Sequence, residues 1–431
     1  MSLIHLGYGR GSVAFEYEES RYRLLAPCER EDERALSDAE IGAAIDAPIG
    51  SAPLEEKVSE GDSVLIVVSD ATRATASAQI VNLLVRRLIG ARVAPADIRI
   101  IFATGIHRAV TSAEKQELLS PFIAQRIRTL DHDAYDKEAH VHLGVTERGT
   151  QIEVNRALKE HTHVILTGAV GFHYFAGFTG GRKSVCPGLA SARTVEATHM
   201  LALDFERGGR RRGVGTGLLE ENAVHEECER VAEMVKPTFL INTVVDEEGS
   251  AVRVYAGDWR AAHRRACEDY LEDHSLSIDS RRDVVIASAG GFPWDINLIQ
   301  AHKALDMAAQ ACREGGQIIL LAECSDGLGR ADFLKWFEED DSRALEDRLR
   351  HGYEVNGQTA WSLLVKAEKF RVHLVSRLTD EDVRRMRMIP SRTLADALAK
   401  IEGEPEGYIM PRGASLLPRV RLESGAQTLS F

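Results

Sequence analysis

Residues 64–75 read VLIVVSDATRAT, and this stretch decides the fold class. Its first five residues form an unbroken apolar run rich in Val and Ile, which predicts a strand buried on both faces of a parallel sheet. The polar residues that follow predict a turn, and the apolar stripe of residues 77–88 predicts a helix. A strand that passes through a turn into a helix is the repeating unit of an α/β protein.

The same alternation recurs along the chain. Further strands are predicted at 98–102, 163–167, 238–245, 283–288, 317–321 and 371–375, and further helices at 223–235, 259–271, 298–312 and 381–401, the last interrupted at Pro390. The charged segment 272–282 separates two such series, and 431 residues exceed what one core usually supports. We therefore expect an α/β fold with two domains, residues 1–277 and 278–431, each a mainly parallel sheet flanked by helices.

The composition excludes several functional classes. A net charge of -13 disfavours a nucleic-acid partner, because nucleic-acid affinity depends on clustered Lys and Arg. The basic run 207–212, RGGRRR, is short and predicts a solvated loop. The six cysteines are scattered without a C-x-x-C pair, so we expect reduced, mostly buried thiols rather than a zinc cluster or a disulfide framework. No signal peptide or run of about 20 apolar residues is visible, which predicts a cytoplasmic protein without a membrane segment.

Two of the predicted strands lead into turns that carry reactive side chains. The first turn contains Asp70, Thr72 and Arg73, and the second, IRIIFATGIHR at 98–108, ends in His107 and Arg108. In open α/β sheets, ligands collect at the carboxyl ends of strands, where helix N-termini direct N–H groups at anions. Alone, Asp70 is equally well explained as a helix N-cap, and a single histidine after a strand is more often structural.

A third segment, residues 168–200, is the most informative. It reads GAVGFHYFAGFTGGRKSVCPGLASARTVEATHM, and its residues of interest are His173, Gly180, Gly181, Lys183 and, on a short predicted helix, His199. So many glycines in one loop suggest close backbone approach to a bound group. A P-loop is disfavoured because Arg182 stands where its pattern requires glycine. A zinc site is disfavoured because no ligand spacing of the H-E-x-x-H kind is present.

The second half of the chain contributes one further motif. Residues 287–305 read ASAGGFPWDINLIQAHKAL, a strand end, a turn and a helix. Gln300 and Lys303 are three residues apart and therefore share a face of that helix. By itself, such a pair would be solvated surface.

Together these segments resemble the lactate racemase family. The resemblance covers most of the chain and depends on five ordered motifs: D-x-x-R at Asp70 and Arg73, ATGxHR at 103–108, HxxAGxxGGxKxxxPG at 173–188, His199, and P-x-D-x-N-x-x-Q-x-x-K at 293–303.

The resemblance implies a nickel-pincer nucleotide, a pyridinium mononucleotide with two sulfur donors, as the cofactor. It implies that Lys183 tethers the nucleotide and that His199 completes a square-planar nickel site, and it leaves open whether the tether is covalent here. The other residues expected to bind the cofactor are Asp70, Thr72, Gly180 and Gly181. The implied acid/base residues are His107 and His173. The implied substrate-binding residues are Arg73, Gln300, Lys303, Trp361 and Ile299.

The implied reaction is inversion of C2 of a 2-hydroxy acid by reversible hydride transfer. A histidine on each side of C2 could remove the hydroxyl proton from either enantiomer. The family's helix commonly begins NLYQAQKAL, whereas this chain reads NLIQAHKAL. Because Ile299 replaces a tyrosine, we expect a substrate larger than lactate, with either a second carboxylate, as in malate, or a bulkier apolar or aromatic group. We favour malate because Arg108 and Arg182 could meet a second carboxylate; alternatively, these arginines bind the cofactor phosphate and the pocket is apolar.

The expected partners are a small 2-hydroxy acid and the proteins that make the cofactor, with no nucleic acid and no membrane; a homodimer is left open. The alternatives are a non-catalytic protein that carries the cofactor and an ordinary hydrolase or transferase on this scaffold. A carrier would need the tether and the nickel ligand but not two bases.

Overall fold

A computed structural model describes residues 1–26, 34–354 and 356–421. As far as they are described, the residues form two compact units. The N-terminal unit comprises Glu29–Ala202 and Arg211–Leu271, and the C-terminal unit comprises Met1–Cys28, Leu203–Arg210 and Glu272–Phe431. The expected boundary between residues 277 and 278 lies close to the change of unit after Leu271. The amino-terminal residues and the segment Leu203–Arg210 pack with the C-terminal unit.

The described residues contain the following strands and helices. The strands are β1 (Ser2–Tyr8), β2 (Gly11–Tyr17), β3 (Tyr22–Leu24), β4 (Val64–Ser69), β5 (Ile98–Ala103), β6 (Arg128–Leu130), β7 (His140–Val145), β8 (Gln151–Asn155), β9 (His163–Ala169), β10 (Phe172–His173), β11 (Gly177–Phe178), β12 (Phe239–Val245), β13 (Ala251–Gly257), β14 (Ser275–Ile278), β15 (Arg282–Ser288), β16 (Cys312–Leu321), β17 (Arg371–Val375), β18 (Ile389–Ser391), β19 (Gly407–Met410) and β20 (Leu417–Val420). The helices are α1 (Asp38–Asp46), α2 (Ser77–Gly90), α3 (Ser112–Arg126), α4 (Ala157–Glu160), α5 (Ala192–Met200), α6 (Ala223–Val235), α7 (Ala261–His274), α8 (Leu298–Ala311), α9 (Ser342–His351), α10 (Gly357–Lys369), α11 (Asp380–Arg385) and α12 (Leu394–Ala399).

The N-terminal unit is built on a six-stranded sheet in the order β13-β12-β9-β4-β5-β6. Its strands run parallel except for β13, which pairs antiparallel with β12. The first five residues of β4 are fully buried, as expected for a strand covered on both faces. The apolar stripe of α2, which includes Ile80, Leu84 and Leu88, packs in the core of this unit. This packing fixes the carboxyl ends of the strands, where the predicted turns begin.

The C-terminal unit contains a second six-stranded sheet in the order β18-β17-β16-β15-β19-β3, with every neighbouring pair parallel. Its central strand, β15, is buried from Val284 to Ser288. The amino-terminal strands β1 and β2 form a hairpin, and Leu6 of β1 belongs to the core of this unit. The predicted α/β fold class, with mainly parallel sheets, is confirmed.

Two local expectations are wrong. Residues 381–401 do not form one interrupted helix, because the chain becomes extended as β18 between α11 and α12; Pro390 lies in this edge strand, where a missing N–H is tolerated. The run 207–212 is not simply a solvated loop, because the Arg210 side chain is mostly buried and pairs with Asp306.

The expectations for cysteines and membrane segments can be compared with the described residues. Cys186, Cys228, Cys267, Cys312 and Cys324 are buried and form no disulfide, as expected, and Cys28 lies outside the described residues. Among the described helices, none has both the length and the apolar character needed to cross a membrane.

Candidate active site

Three loops begin at one edge of the N-terminal unit's sheet. The neighbouring parallel strands β9, β4 and β5 end at Ala169, Ser69 and Ala103. In the sheet, β4 has β5 on one side and β9 on the other. From β4 the chain first adds strands on the β5 side and later adds strands on the β9 side, so the direction in which the sheet is built reverses at β4. Open α/β sheets bind ligands at such a position. The loops carry, or lead directly to, all the site residues predicted in this half of the chain.

The Asp70 carboxylate joins the first loop to the second. Its Oδ2 atom lies 2.7 Å from Nδ1 of His107, and its Oδ1 atom accepts hydrogen bonds from the Thr72 backbone N–H at 3.0 Å and from the Thr72 hydroxyl at 2.6 Å. The Asp70 side chain is 6% exposed and the His107 side chain is 42% exposed. A buried carboxylate therefore holds a histidine whose ring reaches solvent.

The charges around Asp70 keep its carboxyl group ionised. Burial alone would raise its pKa, but the hydrogen bond and charge of His107, together with the charge of Arg73 and the Thr72 hydroxyl, outweigh burial and lower the pKa to about 2. The ionised carboxylate accepts a hydrogen bond from the Nδ1–H of His107, which leaves Nε2 as the ring atom with a free lone pair.

Arg73 is the cation of the first loop. Its side chain is half-buried, and among the described residues its guanidinium group forms no ion pair or hydrogen bond. A guanidinium group binds a carboxylate or a phosphate through two parallel hydrogen bonds. Arg73 is therefore available to bind an anion at this edge of the sheet.

His173 is held rigidly in the third loop. It lies on β10 opposite Gly177 of β11, and it is 7% exposed. Its Nδ1 atom accepts the N–H of Ala176 at 3.2 Å, and its ring stacks on Tyr174 at a centroid distance of 5.3 Å. Because Nδ1 accepts hydrogen bonds, the neutral ring carries its proton on Nε2.

The side chains of Lys183 and His199 both lie next to the ring of Phe175. The Lys183 ammonium lies 5.5 Å from the centroid of the Phe175 ring, and the His199 ring lies 5.0 Å from it. Lys183 is in the short 3-10 helix Gly181–Ser184, and His199 is in the last turn of α5. The loop and the helix thus place a lysine and a histidine next to the same aromatic ring.

One ring nitrogen of His199 is hydrogen-bonded to a described residue and the other is not. Its Nδ1 donates to the Val195 carbonyl oxygen at 2.6 Å, and no described residue forms a hydrogen bond with its Nε2. Burial, together with the charge of Lys183, lowers the pKa of His199 to about 4, so the ring is neutral near pH 7. Among the described residues, no three His, Cys, Asp or Glu side chains are grouped to hold a metal ion. A metal at His199 would need its other donors from a bound molecule.

Gly180 and Gly181 of the third loop lie close to protein atoms. A Cβ atom at Gly180 would lie 2.8 Å from the Asn242 side chain, and one at Gly181 would lie 2.5 Å from the His263 ring. The N–H of Gly181 donates to Asn242 Oδ1 at 3.0 Å, so it is not available to a ligand. Both glycines have positive φ angles. The two glycines therefore let the loop pack closely against Asn242 and His263, and their role in binding the cofactor stays a prediction.

The two arginines expected to meet a second carboxylate are already engaged. Arg182 is 1% exposed and donates to the Ala176 carbonyl oxygen at 2.7 Å, and its guanidinium lies 3.0 Å from the His263 ring. Arg108 forms an ion pair with Glu114. The preference for malate rested on these side chains being available, and the structure removes that support.

The predicted substrate-binding residues of the second half lie in the C-terminal unit. Lys303 Nζ donates to Gln300 Oε1 at 2.7 Å, which confirms that the two side chains share a face of α8. Ile299 is half-buried on the same helix, and Trp361 of α10 is 5% exposed. The Asn297 side chain caps α8 by accepting the Gln300 N–H at 3.0 Å.

Three residues of this region were not predicted. Phe175 lay within the quoted loop, but an aromatic side chain there is equally consistent with a core position. Asn242 and His263, which support Gly180, Gly181 and Arg182, come from β12 and α7. They are more than 60 residues away in the sequence, and no local motif marks them.

Comparison with known proteins finds relatives that are named lactate racemase. The lactate racemase apoprotein from Thermoanaerobacterium thermosaccharolyticum superimposes with a TM-score of 0.88 and 28% identity, covering 97% of this chain and 100% of that one. The lactate racemase of Lactiplantibacillus plantarum is 32% identical over 410 residues, which are 93% of this chain and 95% of the relative. This chain belongs to the lactate racemase family.

The family's domain profiles divide the chain in two. The profile described as the lactate racemase N-terminal domain matches residues 8–209, and the one described as the C-terminal domain matches residues 278–415. A Thermotoga maritima protein, 20% identical with a TM-score of 0.69, shares the fold. As a member of the lactate racemase family, the chain is an isomerase.

Proposed function

We propose that this protein interconverts the two enantiomers of a 2-hydroxy acid and uses a nickel-pincer nucleotide to do so. The observation that carries the proposal is the hydrogen bond between buried Asp70 and His107, at the sheet edge from which His173, Lys183 and His199 are also presented. A pair of this kind orients a histidine and stabilises its protonated form. A protein that only carries a cofactor has no need of it.

His107 is the proposed base for one enantiomer. Because the Nδ1–H of His107 donates a hydrogen bond to Asp70, His107 Nε2 can take the proton of a substrate hydroxyl group, and the ionised carboxylate stabilises the resulting imidazolium. In this proposal Asp70 and Thr72 are positioning residues for His107, in place of the cofactor contacts predicted for them.

His173 is the proposed acid and base on the other side of C2. Its neutral ring starts with the proton on Nε2, because Nδ1 accepts backbone N–H groups. To release or take up a proton at Nε2, His173 must carry its other proton on Nδ1, so the proposal requires Nδ1 to give up its backbone N–H groups when the substrate binds. The two histidines divide the proton transfers that inversion of a hydroxyl-bearing carbon requires.

The residues present fit the proposed cofactor. Neutral His199 offers Nε2 as one ligand to nickel, and the absence of a protein metal cluster among the described residues agrees with a metal whose other donors belong to an organic molecule. Lys183 lies beside the same Phe175 ring and is the proposed tether. When bound, the nucleotide would supply the acceptor for the hydrogen that leaves C2 with its electron pair.

Arg73 is the proposed ligand of the substrate carboxylate, because its guanidinium has no partner among the described residues. We retain Gln300 and Lys303 as proposed substrate-binding residues on the strength of the family motif. Trp361, which is 5% exposed on α10, likewise stays a proposed substrate-site residue. With Arg108 and Arg182 engaged, a 2-hydroxy acid with one carboxylate is favoured over malate, and Ile299 favours a side chain larger than a methyl group.

The test is a panel of enantiopure lactate, malate and phenyllactate, with the protein purified from cells that make the cofactor and from cells that do not. We expect interconversion only with the cofactor, and a higher kcat/KM for phenyllactate than for malate. Interconversion of none of the acids by nickel-containing protein would favour the carrier. A clear preference for malate would show that another cation meets its second carboxylate.

A further inference from the structure

The first four residues of the run RGGRRR, 207–210, which the proposed racemase chemistry does not use, belong to a hairpin of the C-terminal unit. The segment Leu203–Arg210 folds as a hairpin, with Leu203 bridged to Arg210 and consecutive positive φ angles at Gly208 and Gly209. Glu346 of α9 accepts the N–H of Gly209 at 2.8 Å and fastens the hairpin to that helix.

The hairpin, α8, α9 and α10 enclose a cavity of about 990 Å³ within the C-terminal unit. Its floor contains Asp306, which is 1% exposed and bonds two cations: Lys366 at 2.7 Å and Arg210 at 3.4 Å. The Trp361 indole also lines the cavity, and its N–H is buried without a hydrogen-bond partner among the described residues. Buried donors of this kind usually have a partner.

The rim of the cavity is rich in arginine. Arg207 on the hairpin, Arg281 before β15, and Arg343 and Arg350 on α9 line it, are exposed, and form no ion pair with any described residue. The two arginines of α9 are seven residues apart and so lie on one helix face. The two buried carboxylates of the cavity, Asp306 and Glu346, are already bonded. Glu206, Glu314 and Asp347 also line the cavity, so its lining holds seven Lys and Arg against five Asp and Glu, a small local surplus of positive charge.

We propose that this cavity binds an organic anion with two or more negative charges, of the size of a nucleotide or a tricarboxylate. Guanidinium groups recognise carboxylate and phosphate oxygens through paired hydrogen bonds, and several of them around one opening favour a multiply charged ligand. The volume is at the upper end for small-molecule sites, and Phe205, Trp361 and Phe370 supply apolar wall. Such a ligand would bridge the hairpin to α9.

Calorimetry with ATP and citrate as separate probes, and inorganic phosphate as the small-anion comparison, tests this site. We expect ATP or citrate to bind the parent protein more tightly than phosphate does, with an affinity that falls as salt rises. Arg207→Glu and Arg343→Glu, which lie on the hairpin and on α9, should each weaken that binding at least 10-fold. Whichever probe binds more tightly identifies phosphate or carboxylate as the preferred group.

Two matched variants locate the binding. Arg371→Glu removes an exposed arginine of the same unit that lies outside the cavity, and it should leave the affinity unchanged. Lys183→Ala, in the proposed cofactor site, should also bind the probe normally, and circular dichroism checks that each variant is folded. The proposal is overturned if neither probe binds at millimolar concentration, if the two rim variants bind like the parent, or if Arg371→Glu or Lys183→Ala weakens binding equally. None of these outcomes depends on racemase activity.

Discussion

Replacing Asp70 by Asn should slow racemisation without unfolding the protein. The surroundings lower the pKa of the Asp70 carboxyl from 3.8 to about 2, although burial opposes this. The fall corresponds to roughly 2 to 3 kcal/mol in favour of the ionised form, and His107 is its main source. The ionised Asp70 carboxylate also accepts the Nδ1–H hydrogen bond of His107, which leaves Nε2 as the base. Arg73 and Thr72 also contribute to the low pKa of Asp70, so only part of this free energy belongs to the pair with His107. We therefore expect loss of the Asp70 charge to lower kcat/KM by about 10-fold to 100-fold at pH 7.

The assay is the initial rate of interconversion of one enantiomer by cofactor-loaded protein, followed by chiral chromatography. Asp62→Asn is a matched control, because Asp62 also bonds a histidine of this unit, His163, at 3.0 Å, but lies before the amino end of β4, away from the proposed site. It should keep the parent rate. An Asp70→Asn variant that racemises as fast as the parent, with the same pH profile, would refute the claim that Asp70 activates His107.

Three further results are expected. His199→Ala should lose nickel, measured by elemental analysis, while the folded protein remains, and full nickel retention would contradict the ligand assignment. His173→Ala should lower the racemisation rate by about 100-fold to 10,000-fold with cofactor content unchanged, as loss of a positioned acid or base usually does, and a parent-like rate would make His173 structural. Because the Asp70 pKa is lower in the folded protein, Asp70 contributes its full stabilisation above about pH 5 and loses it as the pH falls towards 2. In urea unfolding, the parent should therefore lose roughly 2 to 3 kcal/mol of unfolding free energy over this pH range that Asp70→Asn does not lose. Parallel pH profiles of the two proteins would exclude this contribution.

The sequence predicted what depends on local pattern. The apolar run of β4 and the stripe of α2 determine strand and helix through burial, and parallel pairing then places Asp70, His107 and His173 at one sheet edge. The spacing of Gln300 and Lys303 likewise predicted their contact, because helix geometry alone sets it.

What the sequence could not predict depends on long-range packing. Gly180 and Gly181 looked like a ligand cradle, but Asn242 and His263, distant in the sequence, occupy the space beside them. Arg182 looked available to a substrate because no local pattern shows that a guanidinium will be buried. The basic hairpin near Arg210 looked solvated because its partner, Asp306, is almost 100 residues away.

The most direct test of the central claim is the fate of the hydrogen on C2. Enantiopure phenyllactate or lactate carrying deuterium at C2 is incubated with cofactor-loaded protein in ordinary water. The inverted product is isolated by chiral chromatography, and its deuterium content is measured by mass spectrometry. If His107 and His173 move only the hydroxyl proton while the C2 hydrogen leaves and returns with its electron pair, the inverted product keeps its deuterium. Inverted product in which solvent hydrogen has replaced the deuterium would contradict this account and indicate removal of the C2 hydrogen as a proton.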